Sequence, residues 1–210
     1  MRAHIETGFA LVDECILSFN QVGDEQGSTP KGQFSRVCAI TTTKGRNLLF
    51  ACYSLSLDAL AQESGAVLRP LIEVVELLKY LRLDPSRVDR VIGGKLPSAG
   101  QIRKSIKGSF QSLRDHLNLE ASHFGFGFHS VRHLLDRKTL SIKATQSHSI
   151  DVLARNLDVL SAFLAFLLLE SVSCLYLTDS EAKDLADRSQ EWKYLCTHVF
   201  AAQRGSQNET

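Results

Sequence analysis

The chain has 210 residues, 44% of them hydrophobic and 22% charged, with a formal net charge of +1. This composition is typical of a soluble globular protein with a sizeable hydrophobic core. The N-terminal stretch carries acids and lacks a leader pattern, and the five cysteines are scattered without a CxxC pair. These features argue against a disulfide framework or a zinc knuckle, so we expect buried free thiols in a cytoplasmic protein.

Apolar periodicity predicts helices in the N-terminal third of the chain. Residues 5–19 indicate a first helix, and the polar segment that follows, 22–33, is predicted to be a flexible loop. The spacing of apolar residues over 35–64 favours a long second helix. A run of three threonines followed by Lys-Gly disfavours a helix interior, so a short strand at 36–42 is the alternative.

The clearest helix is predicted over residues 65–85. Seven apolar residues there recur at the three- and four-residue spacing of one buried face: Val67, Leu68, Leu71, Val74, Val75, Leu78 and Leu81. Asp84 and Pro85 predict a helix stop followed at once by a new start. Arg69 and Glu73 lie one turn apart on this helix, so they are able to form an ion pair.

The rest of the chain is also predicted to be mainly helical. We expect a short helix from 84 to about 92, followed by a helix that is capped by Ser98 and runs to about 117. Two helical stretches around a bend are predicted over 117–136, and one extended segment at 140–145. The longest helix is predicted over 149–176 and a final helix over 178–200, before a disordered tail at 203–210.

These elements predict an all-α protein, a single-domain helical bundle of about seven or eight helices in residues 1–202, with at most one short extended segment. The run at 159–177 is nearly all apolar, but Glu170 interrupts it before the roughly 20 residues that a membrane span needs. We therefore expect a central buried helix, no membrane contact, and a homodimer formed through the apolar face of this helix or its neighbours.

Basic residues concentrate in the middle of the chain. From Lys79 to Lys143 there are thirteen Lys or Arg and five acids, a net +8, whereas the remainder has eleven bases and eighteen acids, a net −7. This asymmetry predicts binding to an acidic protein or to RNA. The residues expected to bind are Arg69, Glu73, Arg103, Lys104, Lys107, His116 and His129.

A metal site is one interpretation of the histidines that cluster between 116 and 148. Glu120 and His123 form a Glu-x-x-His, the helical spacing used at di-iron sites, and Glu73 and Glu76 are candidate facing carboxylates. Such sites need a second Glu-x-x-His, and the chain has none. We therefore predict no metal and no cofactor.

Metal-independent cleavage of RNA is the other chemical interpretation. An arginine binds a phosphate while a histidine transfers a proton, and the candidate catalytic residues are His123, Arg114 and Arg69. The alternative is that Arg114 is a surface charge and His123 a hydrogen-bonded histidine at a helix bend. The chain has no Gly-rich phosphate loop, GxSxG or HExxH motif, so a conventional enzyme is not indicated.

Within residues 45–135 the chain carries a pattern made of Gly65, Arg69, Glu73, Asp84-Pro85 and Ser122-His123. This pattern resembles that of a group of bacterial and phage helical proteins, which are distant relatives of the HEPN superfamily of toxins and abortive-infection proteins. The resemblance implies that Arg69, Glu73 and His123 share one polar site. Nuclease members carry an arginine four to six residues before a histidine, and no arginine here has that spacing. The resemblance thus favours a non-catalytic interaction module of a bacterial defence or toxin–antitoxin system, with the ribonuclease as the alternative.

Overall fold

The structure, a computed structural model, describes residues 2–108, 110–120, 139, 141–142, 150–179 and 182–207. These residues form eight α-helices and one 3₁₀ turn (Pro85–Arg87), without a strand or sheet, which confirms the predicted all-α class. The helices are α1 (Arg2–Gln26), α2 (Pro30–Leu57), α3 (Ala61–Leu83), α4 (Val88–Ile92), α5 (Ala99–Ile106), α6 (Gln111–Glu120), α7 (Ile150–Tyr176) and α8 (Lys183–Gln207).

Four long helices, α1, α2, α3 and α7, enclose the hydrophobic core. Helix α2 contacts the other three, and α8 packs on α1 and α7. The ion pair between Arg46 and Asp13 and the stacking of His4 on Trp192 show how α2 and α8 run along α1. Helices α5 and α6 pack on α3, so this part of the basic region is attached to the bundle through α3.

Most of the predicted flexible loop at 22–33 is helical, so that prediction is wrong. Helix α1 continues to Gln26, and α2 begins at Pro30, where the fixed φ of proline suits a first helical position. The side chain of Thr29 accepts a hydrogen bond from the backbone N–H of Gly32 at 3.2 Å and caps α2. The polar sequence therefore marks two helix ends and a three-residue turn.

The long helix predicted over 35–64 is confirmed as far as Leu57, and the alternative strand at 36–42 is wrong. Thr41 and Thr43 donate their hydroxyls to backbone carbonyls one turn earlier, at 2.7 and 2.8 Å, so their polar groups are satisfied inside the helix. The chain then turns through Ala59, which has a left-handed φ of 63°.

Helix α3 confirms the prediction for residues 65–85, although it begins earlier, at Ala61. Six of the seven residues predicted for its core face are buried, and Val67 is half-buried. Asp84 accepts a hydrogen bond from the backbone N–H of Ser86 at 3.2 Å and caps the 3₁₀ turn that precedes α4.

The helix predicted from Ser98 to about 117 is divided in two. Ser98 forms the expected cap, reinforced by a capping box with Gln101, but α5 ends at Ile106, and its C-cap residue Lys107 has a left-handed φ of 50°. A Cβ atom on Gly108 would lie 2.7 Å from Oε1 of Glu76 on α3. Glycine at this position therefore lets the chain after α5 pass close to the carboxylate of α3.

The C-terminal half confirms the helix predicted over 149–176 as α7, but with 27 residues it is not the longest, since α2 has 28. Helix α8 extends to Gln207, so residues 203–207 are helical rather than a disordered tail. The bend predicted within 117–136 and most of the extended segment at 140–145 lie outside the described residues, as do 208–210.

Among the described helices, α7 has the length and hydropathy that a membrane span requires. Its most apolar window has a mean hydropathy of 2.0, and 56% of that window is buried against the other helices. The core helix of a soluble protein passes the same test of length and composition, so these two properties do not separate the possibilities.

Candidate functional site

Charged side chains from three helices meet where α5 and α6 pack on α3. We call this group the polar cluster, and its members are Arg69, Glu73, Glu76, Arg103 and Arg114. Helix α3 supplies both carboxylates and one arginine, because its polar residues follow the helical repeat next to the core face. The cluster extends from a half-exposed end at Arg69 to a buried end at Glu76.

The buried end of the cluster is an ion pair between α6 and α3. A terminal nitrogen of Arg114 lies 2.5 Å from Oε2 of Glu76, and the side chains are only 8% and 2% exposed. The other terminal nitrogen of Arg114 lies 3.7 Å from Oε1 of Glu73. One guanidinium therefore faces two carboxylates of α3.

The outer end of the cluster contains the predicted pair of Arg69 and Glu73, which lie 3.6 Å apart. Their side chains are 40% and 35% exposed, so solvent screens this pair. The same Oε1 of Glu73 thus faces both Arg69 and Arg114 without being within hydrogen-bond distance of either.

Three polar atoms in the cluster have no hydrogen-bond partner within the described part of the chain: Arg69 Nε, Glu76 Oε1 and Arg114 Nε. Burial raises the pKa of Glu76 above its ordinary value of 4.5, while the positive charges of Arg114 and Arg103 act in the opposite direction. Since Glu76 is buried, its charged form depends on Arg114 for compensation.

The structure brings four predicted site residues together: Arg69, Glu73, Arg103 and Arg114. Arg103 is half-buried and interacts electrostatically with Glu76, whereas His116 is exposed on α6. Lys104 and Lys107 are exposed side chains on or next to α5. His123 and His129 lie outside the described residues.

The sequence indicates Glu76 only as a candidate metal ligand, yet in the structure its side chain is the most buried charged group of the cluster. The signal for its role is helical spacing, because Glu76 lies one turn after Ile72 and one turn before Tyr80, both buried. An acid at such a position is expected to be buried with a cationic partner. Spacing alone does not identify Arg114 as that partner.

Exposed basic side chains recur along the segment that includes the end of α4 and all of α5. The segment 90–107 contains five Lys or Arg and no Asp or Glu. Four of these side chains, which we call the basic surface, are exposed and make no ion pair within the described ranges: Arg90, Lys95, Lys104 and Lys107. By contrast, Arg82 pairs with Glu170 at 2.8 Å. Arg90 helps to lower the pKa of Asp84 without forming an ion pair with it, so Lys95, Lys104 and Lys107 are the cations of this surface that remain to bind an external anion.

Four cysteines, Cys15, Cys38, Cys52 and Cys174, are buried free thiols, as predicted, and are not suited to nucleophilic chemistry. Burial raises the pKa of Cys15 to about 12 and that of Cys52 to about 11, so both stay protonated at neutral pH. The part of the chain that the structure describes also contains no group of three or more His, Cys, Asp or Glu that could hold a metal ion.

Comparison of the chain with protein-family models, with curated proteins and with solved structures finds no match.

Proposed function

We propose that the chain is a non-catalytic interaction module that binds an acidic partner, a protein or RNA, through its basic surface. The observation that carries this proposal is the acid-free segment 90–107, whose exposed lysines make no ion pair within the described residues. Helix α5 is attached to α3 through buried Ile102 and Ile106, so the cations project from a fixed support. Such preorganised charge favours association with an anion.

The polar cluster supports binding rather than catalysis. Arg114 is buried and faces two carboxylates, so it would have to leave Glu76 before it could contact a phosphate. A ribonuclease would therefore depend on Arg69 and His123. A role in bacterial defence or in a toxin–antitoxin system is part of the proposal, and its support is the resemblance to HEPN-like proteins.

The double variant Lys104→Gln/Lys107→Gln is expected to bind acidic probes about tenfold more weakly than the wild-type chain, since it removes two unpaired cations of the basic surface. The probes are a fluorescein-labelled glutamate-rich peptide and a labelled single-stranded RNA, and affinity is measured by fluorescence anisotropy at two salt concentrations. Raising the salt should weaken the wild type more than the variant.

The matched control is Lys31→Gln/Lys44→Gln, which removes two exposed cations of α2. Equal losses in the two double variants would show that binding reflects overall charge and would contradict the proposal. The alternative function, a metal-independent ribonuclease, is tested by incubating the RNA with the wild type and with His123→Ala. Cleavage by the wild type that persists in the presence of a chelator and is lost in His123→Ala would indicate the ribonuclease.

We also propose that the chain forms a homodimer through the exposed side of α7. Apolar residues recur there at seven-residue spacing, with Val152, Val159 and Phe166 each more than 40% exposed. A second copy would remove this surface from water. Light scattering should give twice the mass of one chain for the wild type and the mass of one chain for Phe166→Glu. A monomeric wild type would contradict this part of the proposal.

A further inference from the structure

Helices α2 and α7 pack against each other along a seam of small residues. The hydroxyls of Thr42 and Ser171, both fully buried, share a hydrogen bond of 3.0 Å across this seam. One turn further along α2, a Cβ atom on Gly45 would lie 2.7 Å from a methyl carbon of Leu167, which is one turn earlier on α7. The two helices are therefore antiparallel here, and their backbones approach each other closely.

The same register brings two cysteines together. One turn before Thr42 on α2 is Cys38, and one turn after Ser171 on α7 is Cys174. Both thiols are 0% exposed, and the neighbouring Cys174 thiol, together with burial, raises the pKa of Cys38. The thiol of Cys174 also donates a weak hydrogen bond of 3.5 Å to the backbone carbonyl of Leu78 on α3. The two thiols therefore lie next to each other inside the seam.

The other two buried thiols have different surroundings. Burial is the main cause of the raised pKa of Cys15 on α1, and Cys52 donates a hydrogen bond of 3.4 Å to the carbonyl of Ser64 on α3. A disulfide needs backbones in close approach, which the small residues of the seam provide between α2 and α7. The seam therefore selects Cys38 and Cys174 as the pair that can be cross-linked.

We infer that Cys38 and Cys174 are a redox-sensitive pair, which a peroxide converts into a disulfide that cross-links α2 to α7. One thiol is oxidised to a sulfenic acid, and the peroxide is reduced and releases water. The second thiol then takes the place of the hydroxyl group, forms the S–S bond and releases a second water. The peroxide thus accepts the two electrons and two protons that the thiols lose. This inference is independent of the acidic partner and goes beyond the proposed function.

Burial controls when this reaction occurs. In the closed chain both thiols are shielded from solvent and protonated, so neither is a nucleophile. The reaction therefore begins when α2 and α7 separate transiently, and the disulfide holds the two helices together after they close again. A small thiol such as dithiothreitol reverses the cross-link by thiol–disulfide exchange when the helices next separate.

The test treats the full-length chain with hydrogen peroxide in urea below its unfolding transition, blocks the remaining thiols with iodoacetamide, and maps the peptides by mass spectrometry. We expect one main cross-linked peptide pair, which joins Cys38 to Cys174 and disappears with dithiothreitol. It should form faster as urea increases the opening of the helices. Since the disulfide closes a long loop of the unfolded chain, the midpoint of urea unfolding should rise by about 1 M or more after oxidation.

Single serine variants provide the controls. Cys38→Ser and Cys174→Ser should form no such cross-link, and oxidation should not raise their unfolding midpoints, whereas Cys15→Ser should behave as the wild type does. The peptide map of the wild type decides the pairing even if a variant fails to fold. A main cross-link between any other two cysteines, oxidation without a disulfide, or an unfolding midpoint that does not rise would overturn the inference, and each leaves the proposed function standing.

Discussion

Replacement of Arg114 with methionine is expected to lower the free energy of unfolding by about 3–5 kcal/mol. The variant removes the guanidinium that lies 2.5 Å from Glu76 and leaves that carboxylate, only 2% exposed, without its ion-pair partner. It also removes the ion-pair contacts between α6 and α3. Urea unfolding measures the loss, followed by the fluorescence of Trp192, the single tryptophan of the chain, which is buried between α8 and α1.

Two controls separate the charge from the packing. Lys104→Met changes an exposed cation near the cluster and should alter stability by about 0.5 kcal/mol or less. Glu76→Met combined with Arg114→Met removes both charges and should recover most of the stability, because no buried charge is left unpaired. A loss of less than about 1 kcal/mol in Arg114→Met would contradict the interpretation of Glu76 as a compensated buried charge.

The loss in Arg114→Met should also depend on pH. The pKa of folded Glu76 is raised by burial, so between its unfolded value near 4.5 and its folded value the native state binds more protons than the unfolded state. Stability from this group therefore falls as pH rises through that window. Without Arg114 the fall should be larger, so unfolding at pH 5 should show a smaller difference from wild type than unfolding at pH 7.

Gly45→Val is expected to lower the free energy of unfolding by about 3 kcal/mol. An added Cβ would lie 2.7 Å from a methyl carbon of Leu167 and 2.9 Å from one of Val74, so the backbone of α2 directly contacts α7 and α3. Both neighbouring side chains are buried and have little room to move. Thermal and urea unfolding give the change.

Gly100→Val is the matched control, because Gly100 also lies in a helix, α5, but has no atom within 4 Å of an added Cβ. The same substitution there should change stability by about 0.5 kcal/mol or less. If the two variants had similar stability, the close packing of α2 against α7 and α3 would not explain the glycine at position 45.

Helical periodicity accounted for much of the fold. The core face of α3, the long α7 and the Ser98 cap were all predictable, because a helix repeats every 3.6 residues and its cap depends on side chains within the same turn. Local signals conflicted over 35–64: apolar periodicity favours the helix that is found, whereas Gly45 and the preceding threonines left a short strand as the alternative. In the structure, the hydroxyls of Thr41 and Thr43 donate hydrogen bonds to backbone carbonyls of α2 itself. Gly45, which has no side chain, lets α2 pack closely against α7 and α3.

The sequence by itself determined the all-α class, the core faces of the helices, the pairing of Arg69 with Glu73 and the acid-free basic segment, since each depends on residues close together along the chain. Only the tertiary structure decided that Arg114 faces Glu76, 38 residues away, and that α5 ends where Gly108 meets this carboxylate. The reason is physical: which helices pack together depends on the whole core, and the cost of burying Glu76 is met by a cation that local spacing does not specify.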